Sequence, residues 1–366
     1  MSWAQLRTRF PVLERIAYLN AGTFGPLPRA TLDAEREVRA WEAEHGRGGK
    51  PYFDAMLERR ERVRALIAGQ IRVAPENISL TDSTTGGVQT VVTGLALGPG
   101  AEIVTTDAEH FGLTGPLVAS GATLRIARVR DAPARDVFEL IRDQVTPRTT
   151  LIATSAVSWI DGKVFPWRDL RAATGVPVLI DGAQGAGAVD EDASQADYYT
   201  VSAQKWLCGP DATGALYVRD PDALPPRLVA YPSAASYDIA AGSWEPKPGA
   251  LRFDRTFTPA SALAGLEAAL VDLPAGRFER ARDLARRCRE LLLERGVDVA
   301  TEPDQATLVS FRPAGDPTAA VAALYERGVV VRELPGTGLV RASVGWWNDE
   351  SDLERLVEGL EAATDT

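Results

Sequence analysis

Val178-Leu179-Ile180-Asp181-Gly182-Ala183-Gln184 is an apolar run that ends abruptly in a carboxylate and a glycine turn. The pattern predicts a buried strand of an open α/β sheet, with Asp181 delivered to the carboxyl edge where ligands of such sheets bind. About one βαβ step later a second strand-like run, Tyr198 to Ser202, leads into Ala203-Gln204-Lys205-Trp206. A lysine held among apolar neighbours at a sheet edge loses its proton readily and can form an imine with an aldehyde. Alone, Asp-Gly also reads as a plain turn and Lys205 as a surface lysine. It is the spacing between them that joins the two.

Outward from this pair, short β-branched runs alternate with amphipathic stretches from about Ile78 onward, the pattern of a mostly parallel sheet with helices on its faces. Strands are expected at residues 102–105, 123–127, 150–154, 176–180, 198–202 and 215–218, and helices at 85–97, 134–144 and 167–174. Residues 221–248, rich in Pro, Ala and Ser, read as an irregular crossing into a smaller α+β unit. That unit shows helices at 263–273 and 281–295, strands near Leu308, Val329 and Val340, and a last helix at 350–362. The 366 residues exceed what one core usually supports. The expected division is a large domain over 15–250 and a small one over 251–366 joined by residues 1–14.

Composition narrows the class. Apolar residues make up 45% and charged residues 25%, values of a packed globular chain. A net charge of −10, with acidic and basic residues interleaved, gives no footprint for nucleic acid. Cys208 and Cys288 are too few for a disulfide framework, and no Cys/His cluster has metal-ligand spacing. Arg7, Arg9, Glu14 and Arg15 break up any signal-peptide core, and no uncharged stretch suits a membrane span, so the expected compartment is the cytoplasm.

Three further segments bear on chemistry. Thr81-Asp82-Ser83-Thr84-Thr85-Gly86-Gly87 precedes a predicted helix, and its amides and the helix dipole would cradle a phosphate, or form an N-cap with nothing bound. His110, after Thr106-Asp107-Ala108-Glu109, would stack on a ring or move protons, or be structural. Arg341, after the strand-like Gly338-Leu339-Val340, suits a bidentate carboxylate or a surface ion pair.

Together and in this order, these pieces resemble the class V aminotransferase family of pyridoxal-phosphate (PLP) enzymes, within the PLP-dependent transferase fold type I, over nearly the whole chain. The resemblance implies that Lys205 holds PLP as a Schiff base, Asp181 pairs with its ring nitrogen, Gln184 contacts the ring hydroxyl and His110 stacks on the ring. It further implies that Thr84, Thr85, Ser202 and Gln204 hold the phosphate, Arg341 takes the substrate carboxylate, and the enzyme is a homodimer with shared active sites. Within the family, desulfurases carry a nucleophilic cysteine on a loop shortly before the substrate-binding arginine, where this chain reads Val331-Arg332-Glu333-Leu334-Pro335-Gly336-Thr337-Gly338. Tyr18-Leu19-Asn20, Thr106-Asp107-Ala108-Glu109-His110 and Trp159 before Asp161-Gly162 instead resemble the cysteine/cystine C–S lyase branch, with Asn20 and Trp159 toward the substrate. The expected reaction is α,β-elimination to pyruvate and ammonia. Transamination and epimerisation share its first proton transfer, and a non-catalytic scaffold is the remaining alternative. Three departures stand out: Gln204 in place of a histidine, Ala212 in place of a turn glycine, and a short spacing after Arg252-Phe253-Asp254 that leaves Thr256 and Thr258 both open as the partner subunit's phosphate contact.

Overall fold

A computed structural model describes residues 1–364. The β-branched runs form one sheet of seven strands: β1 (Ile78–Thr81), β2 (Glu102–Thr106), β3 (Thr123–Ala127), β4 (Thr149–Ser155), β5 (Val178–Asp181), β6 (Tyr198–Ser202) and β7 (Gly214–Val218). Their order is β1-β7-β6-β5-β4-β2-β3. From β3 to β6 every pairing is parallel, whereas β7 runs antiparallel to both β6 and β1. Two reversals restore direction, so β1 ends at the same edge as β2, β4, β5 and β6. All the turns that carry Thr84, His110, Asp181 and Lys205 therefore open on one rim.

Apolar side chains fill both faces, which explains why β5, β6 and β7 are buried along their whole length. One face packs Val104, Ile152, Trp167, Ile180 and Tyr199 with Leu263 and Leu266. The other packs Val88, Val91, Leu151, Leu179 and Leu216 with Phe253. Helix α3 (Thr84–Gly94) supplies that second layer, capped by Ser83, whose hydroxyl accepts from the Gly86 amide. Before the sheet come two long helices, α1 (Arg29–His45) and α2 (Lys50–Gln70); after His110 comes α4 (Phe111–Ala119).

A second sheet of four antiparallel strands holds β8 (Asp298–Val299), β9 (Leu308–Arg312), β10 (Arg332–Leu334) and β11 (Leu339–Ser343), in the order β8-β9-β11-β10. Helices α5 (Ala260–Val271) and α6 (Arg277–Glu294) precede it, and α7 (Glu350–Thr364) follows. Its core joins Cys288, Leu292, Phe311, Val340 and Leu353 to Ala17 and Leu19 from the start of the chain. Ala17–Tyr18 pairs in parallel with Val329–Val330, and Asn20 bridges to Ser343, which brings residues 20–25 across to the main sheet's rim.

The stretch expected to be irregular, 221–248, contains an antiparallel hairpin, Ala234–Asp238 with Ser243–Pro246. Its strands, Ala-Ala-Ser-Tyr-Asp and Ser-Trp-Glu-Pro, are mostly exposed, so no apolar run betrays them. Among the described residues no helix is long and apolar enough to cross a membrane.

Candidate active site

Asp181 is the last residue of β5 and is buried. Its Oδ1 accepts from the Ala183 amide at 2.9 Å, while Oδ2 has no donor among the described residues. Lys205 lies in the turn after β6, half-buried, and its amine donates to no acceptor among the described residues. Burial brings the Lys205 ammonium down to about 8; Asp181 opposes that shift, and Arg341 and Arg332 reinforce it. Lys163, which is buried, behaves differently: its ammonium donates to the carbonyls of Val129 and Ala132 and pairs with Asp161. Lys205 is thus chemically free where Lys163 is fully occupied.

His110 is the N-cap of α4, and its Nδ1 accepts from the Gly112 amide at 3.0 Å. That bond leaves the proton of the neutral ring on Nε2. Packing around the ring, and next the Lys205 charge, lower its pKa and favour the neutral form. Its ring meets Trp159 edge-on, centroids 5.2 Å apart. The Trp159 carbonyl accepts from Arg341 Nη1 at 2.7 Å.

Arg341 is buried in the middle of β11, and its Nε has no partner. Burial, then neighbouring Arg332, brings the guanidinium down to about 9. The loop over it needs glycine: a Cβ on Gly22 would sit 2.6 Å from Arg341 Nη2, and one on Gly25 would collide with the Lys205 carbonyl. Buried Gln184 ties this loop down, donating to the Gly22 carbonyl and accepting from Trp206 Nε1, both at 2.9 Å. Asn20 accepts from the Thr23 hydroxyl beside it. Thr84 and Thr85 open α3, Ser202 closes β6, and the Gln204 Oε1 is buried without a donor. The residues singled out in the sequence thus gather on one rim.

Three others were missed. Glu109 bonds the Thr106, Thr154 and Ser155 hydroxyls and the Ser155 amide, and burial raises it to about 7. Arg332 stands opposite Arg341 in the β10–β11 pairing. Arg255 Nη2 lies 2.6 Å from where a Cβ on Gly86 would be, over the first turn of α3. Cys208, next to the lysine turn, is buried and its thiol pKa is pushed up by burial, the state of an inert packing thiol.

PLP needs an anion cradle, a carboxylate for its nitrogen and a lysine amine. The unpartnered Asp181 Oδ2, the unpartnered Lys205 amine and the opening turn of α3, with Arg255 over it, match that set.

The family model for aminotransferase class-V matches residues 17–356. The chain belongs to that family. As a class-V aminotransferase it is a PLP-dependent enzyme of fold type I. An isopenicillin N epimerase of Amycolatopsis lactamdurans is 29% identical over 405 residues, covering 98% of each chain. The cysteine desulfurase CsdA of Escherichia coli is 28% identical over 404 residues, covering 98% of this chain and 97% of its own. A solved complex of the cystine C–S lyase C-DES with its product cysteine persulfide superposes with a TM-score of 0.89 at 27% identity, over 96% of this chain and 98% of that one.

Proposed function

We propose that the protein is a C–S lyase that removes the sulfur substituent of cysteine, cystine or an S-substituted cysteine, giving pyruvate, ammonia and a sulfur-containing product. PLP, when bound, supplies an electron sink for the pair left at Cα once its proton is gone. Lys205 would hold the cofactor, and its amine would take the Cα proton; an amine with a pKa near 8 is well matched to that task. Asp181 would hold the cofactor's ring nitrogen protonated through its Oδ2. Arg341 orients the substrate carboxylate, with Asn20 and Trp159 beside it. Neutral His110 would stack on the cofactor ring, Gln184, which ties down the loop at Gly22, would contact its hydroxyl, and Thr84, Thr85, Ser202 and Gln204 would bind the phosphate. The β-carbon–sulfur bond then breaks, sulfur leaves with the electron pair, and water completes release of pyruvate and ammonia.

The observation that carries elimination over persulfide transfer is the β10–β11 turn, Pro335-Gly336-Thr337-Gly338, which has no thiol to receive sulfur. The likeness to C-DES supports the same reading. Incubation with cystine, cysteine and S-alkylcysteines should release pyruvate; absence of pyruvate from all of them rejects it. The isopenicillin N epimerase relative favours a second reading, inversion at Cα. Deuterium entering Cα of recovered substrate without pyruvate would select it.

The exposed rings of Tyr231, Tyr237 and Phe257 cluster beside the hairpin, with Tyr231 and Phe257 centroids 6.1 Å apart. An apolar surface of this kind supports a homodimer. Thr256 is exposed next to it whereas Thr258 is buried, which favours Thr256 as the residue reaching a neighbour's phosphate. Two buried free thiols suit a reducing cytoplasm.

A further inference from the structure

Arg255 follows Asp254, the carboxylate that Arg60, Arg64, the Ser79 hydroxyl and the Leu80 amide hold against β1. Strand β1 runs on into the turn that opens α3, so pinning Asp254 there carries the next side chain to that turn. Arg255 Nη2 lies 2.6 Å from the position of a Cβ on Gly86, in the first turn of α3. The arginines around it are answered: Arg252 pairs with Asp222, and Arg60 and Arg64 with Asp254. Half-buried Arg255 donates to no acceptor and pairs with no carboxylate among the described residues. Asp82 Oδ1 comes within 2.5 Å of the same point, yet the two side chains make no ion pair.

The other groups gathered at this turn are neutral. Gly214 of β7 pairs with both Thr81 and Ser202, which brings the end of β6 beside the start of α3. The hydroxyls of Thr84, Thr85 and Ser202 have no partner among the described residues, and Gln204 is an amide. A phosphate monoester arrives there with close to two negative charges at neutral pH, beside the exposed carboxylate of Asp82. Hydroxyls and the partial charge of a helix start orient such a group without neutralising it.

Resting on the assignment of Thr84, Thr85, Ser202 and Gln204 to the cofactor phosphate, we propose that Arg255 is the cation of that cradle. Its guanidinium pairs with the phosphate from the same chain that supplies Lys205, and it offsets the charge of Asp82. The phosphate charge is thereby held in cis, independently of any threonine that a partner subunit adds.

Pyridoxal, which has the ring and the aldehyde but no phosphate, isolates this contact. Full-length protein freed of cofactor is titrated with PLP and with pyridoxal, and Kd is read from the absorbance change. The wild type should bind PLP more tightly by about a hundredfold or more. Arg255→Gln should weaken PLP by about tenfold or more and leave pyridoxal within about twofold, while Arg255→Lys should keep part of the PLP affinity. Inorganic phosphate should raise the Tm of the cofactor-free wild type more than that of Arg255→Gln. An unchanged PLP Kd in Arg255→Gln would overturn the proposal. So would equal losses on PLP and pyridoxal, the mark of a reshaped pocket. Asp82→Asn should tighten PLP binding; a loss there as large as that of Arg255→Gln would make Arg255 the partner of Asp82 instead. A wild type that binds PLP and pyridoxal equally would reject the phosphate cradle itself, and the proposal with it.

Discussion

Two arginine pairs in this molecule have opposite surroundings. At the edge strand β1 of the main sheet, Arg60 and Arg64 of α2 both donate to Asp254 at 2.9 Å, and the same carboxylate accepts from the Ser79 hydroxyl and the Leu80 amide. Burial alone would raise Asp254, but Arg64 and then Arg60 hold it below its ordinary value. Every charge there is answered within the chain. Among the described residues, Arg341 and Arg332 meet no carboxylate. The first pair is mortar between α2, β1 and the segment before α5; the second is a receptor for something that arrives.

The contrast predicts opposite effects of removing charge. Arg341→Gln should lower kcat/KM by about a hundredfold or more, because the substrate carboxylate loses its buried partner. Thermal unfolding of the substrate-free variant should be unchanged or higher, since a buried cation without a counter-ion has been removed. A drop in Tm with intact kcat/KM would invert the assignment. At the other pair, Asp254→Asn should cost about 3–5 kcal/mol in denaturant unfolding by leaving two buried cations uncompensated. Activity per folded molecule should persist. A depressed carboxyl adds stability above its unfolded pKa, near 3.8, that is lost as pH falls through its lower folded value, so the acid limb of the wild-type stability profile should be missing in this variant.

Glu109 sharpens the comparison with an acid lacking any cation partner. Its folded pKa of about 7 exceeds the ordinary 4.5, so its contribution to stability is full below pH 4.5 and fades as pH rises through 7. Glu109→Gln should flatten the profile across that window, read by Tm at successive pH values. An unaltered slope would show that Glu109 ionises freely. The smallest effect is uncharged. Ala212 holds φ +56 in the turn after Lys205, where relatives of the resembled family carry glycine. Ala212→Gly should relieve about 1 kcal/mol and raise Tm slightly, a gain that a relaxed turn would not give.

What the sequence made legible follows the range of the interactions. Strands β3 and β6 were placed to the residue, and Asp181 and Lys205 to their turns, because apolar runs and glycine breaks are local signals. Arg332 was not legible as a site residue, since its meaning comes from register: only the β10–β11 pairing sets it opposite Arg341. Glu109 was passed over for His110, because its burial depends on Thr154 and Ser155 of another strand. The full length of α1 and α2 was missed as well; their exposed, charge-rich faces carry a weak apolar stripe.

The chain has four lysines, Lys50, Lys163, Lys205 and Lys247. Lys50 pairs with Asp54 on the surface and Lys163 is bound to backbone carbonyls, so they give the cofactor no free, desolvated amine. Borohydride reduction of the holoprotein followed by peptide mass mapping should place the pyridoxyl group on Lys205. Its recovery on Lys50, Lys163 or Lys247, or on no lysine of a protein that holds PLP, would contradict the account.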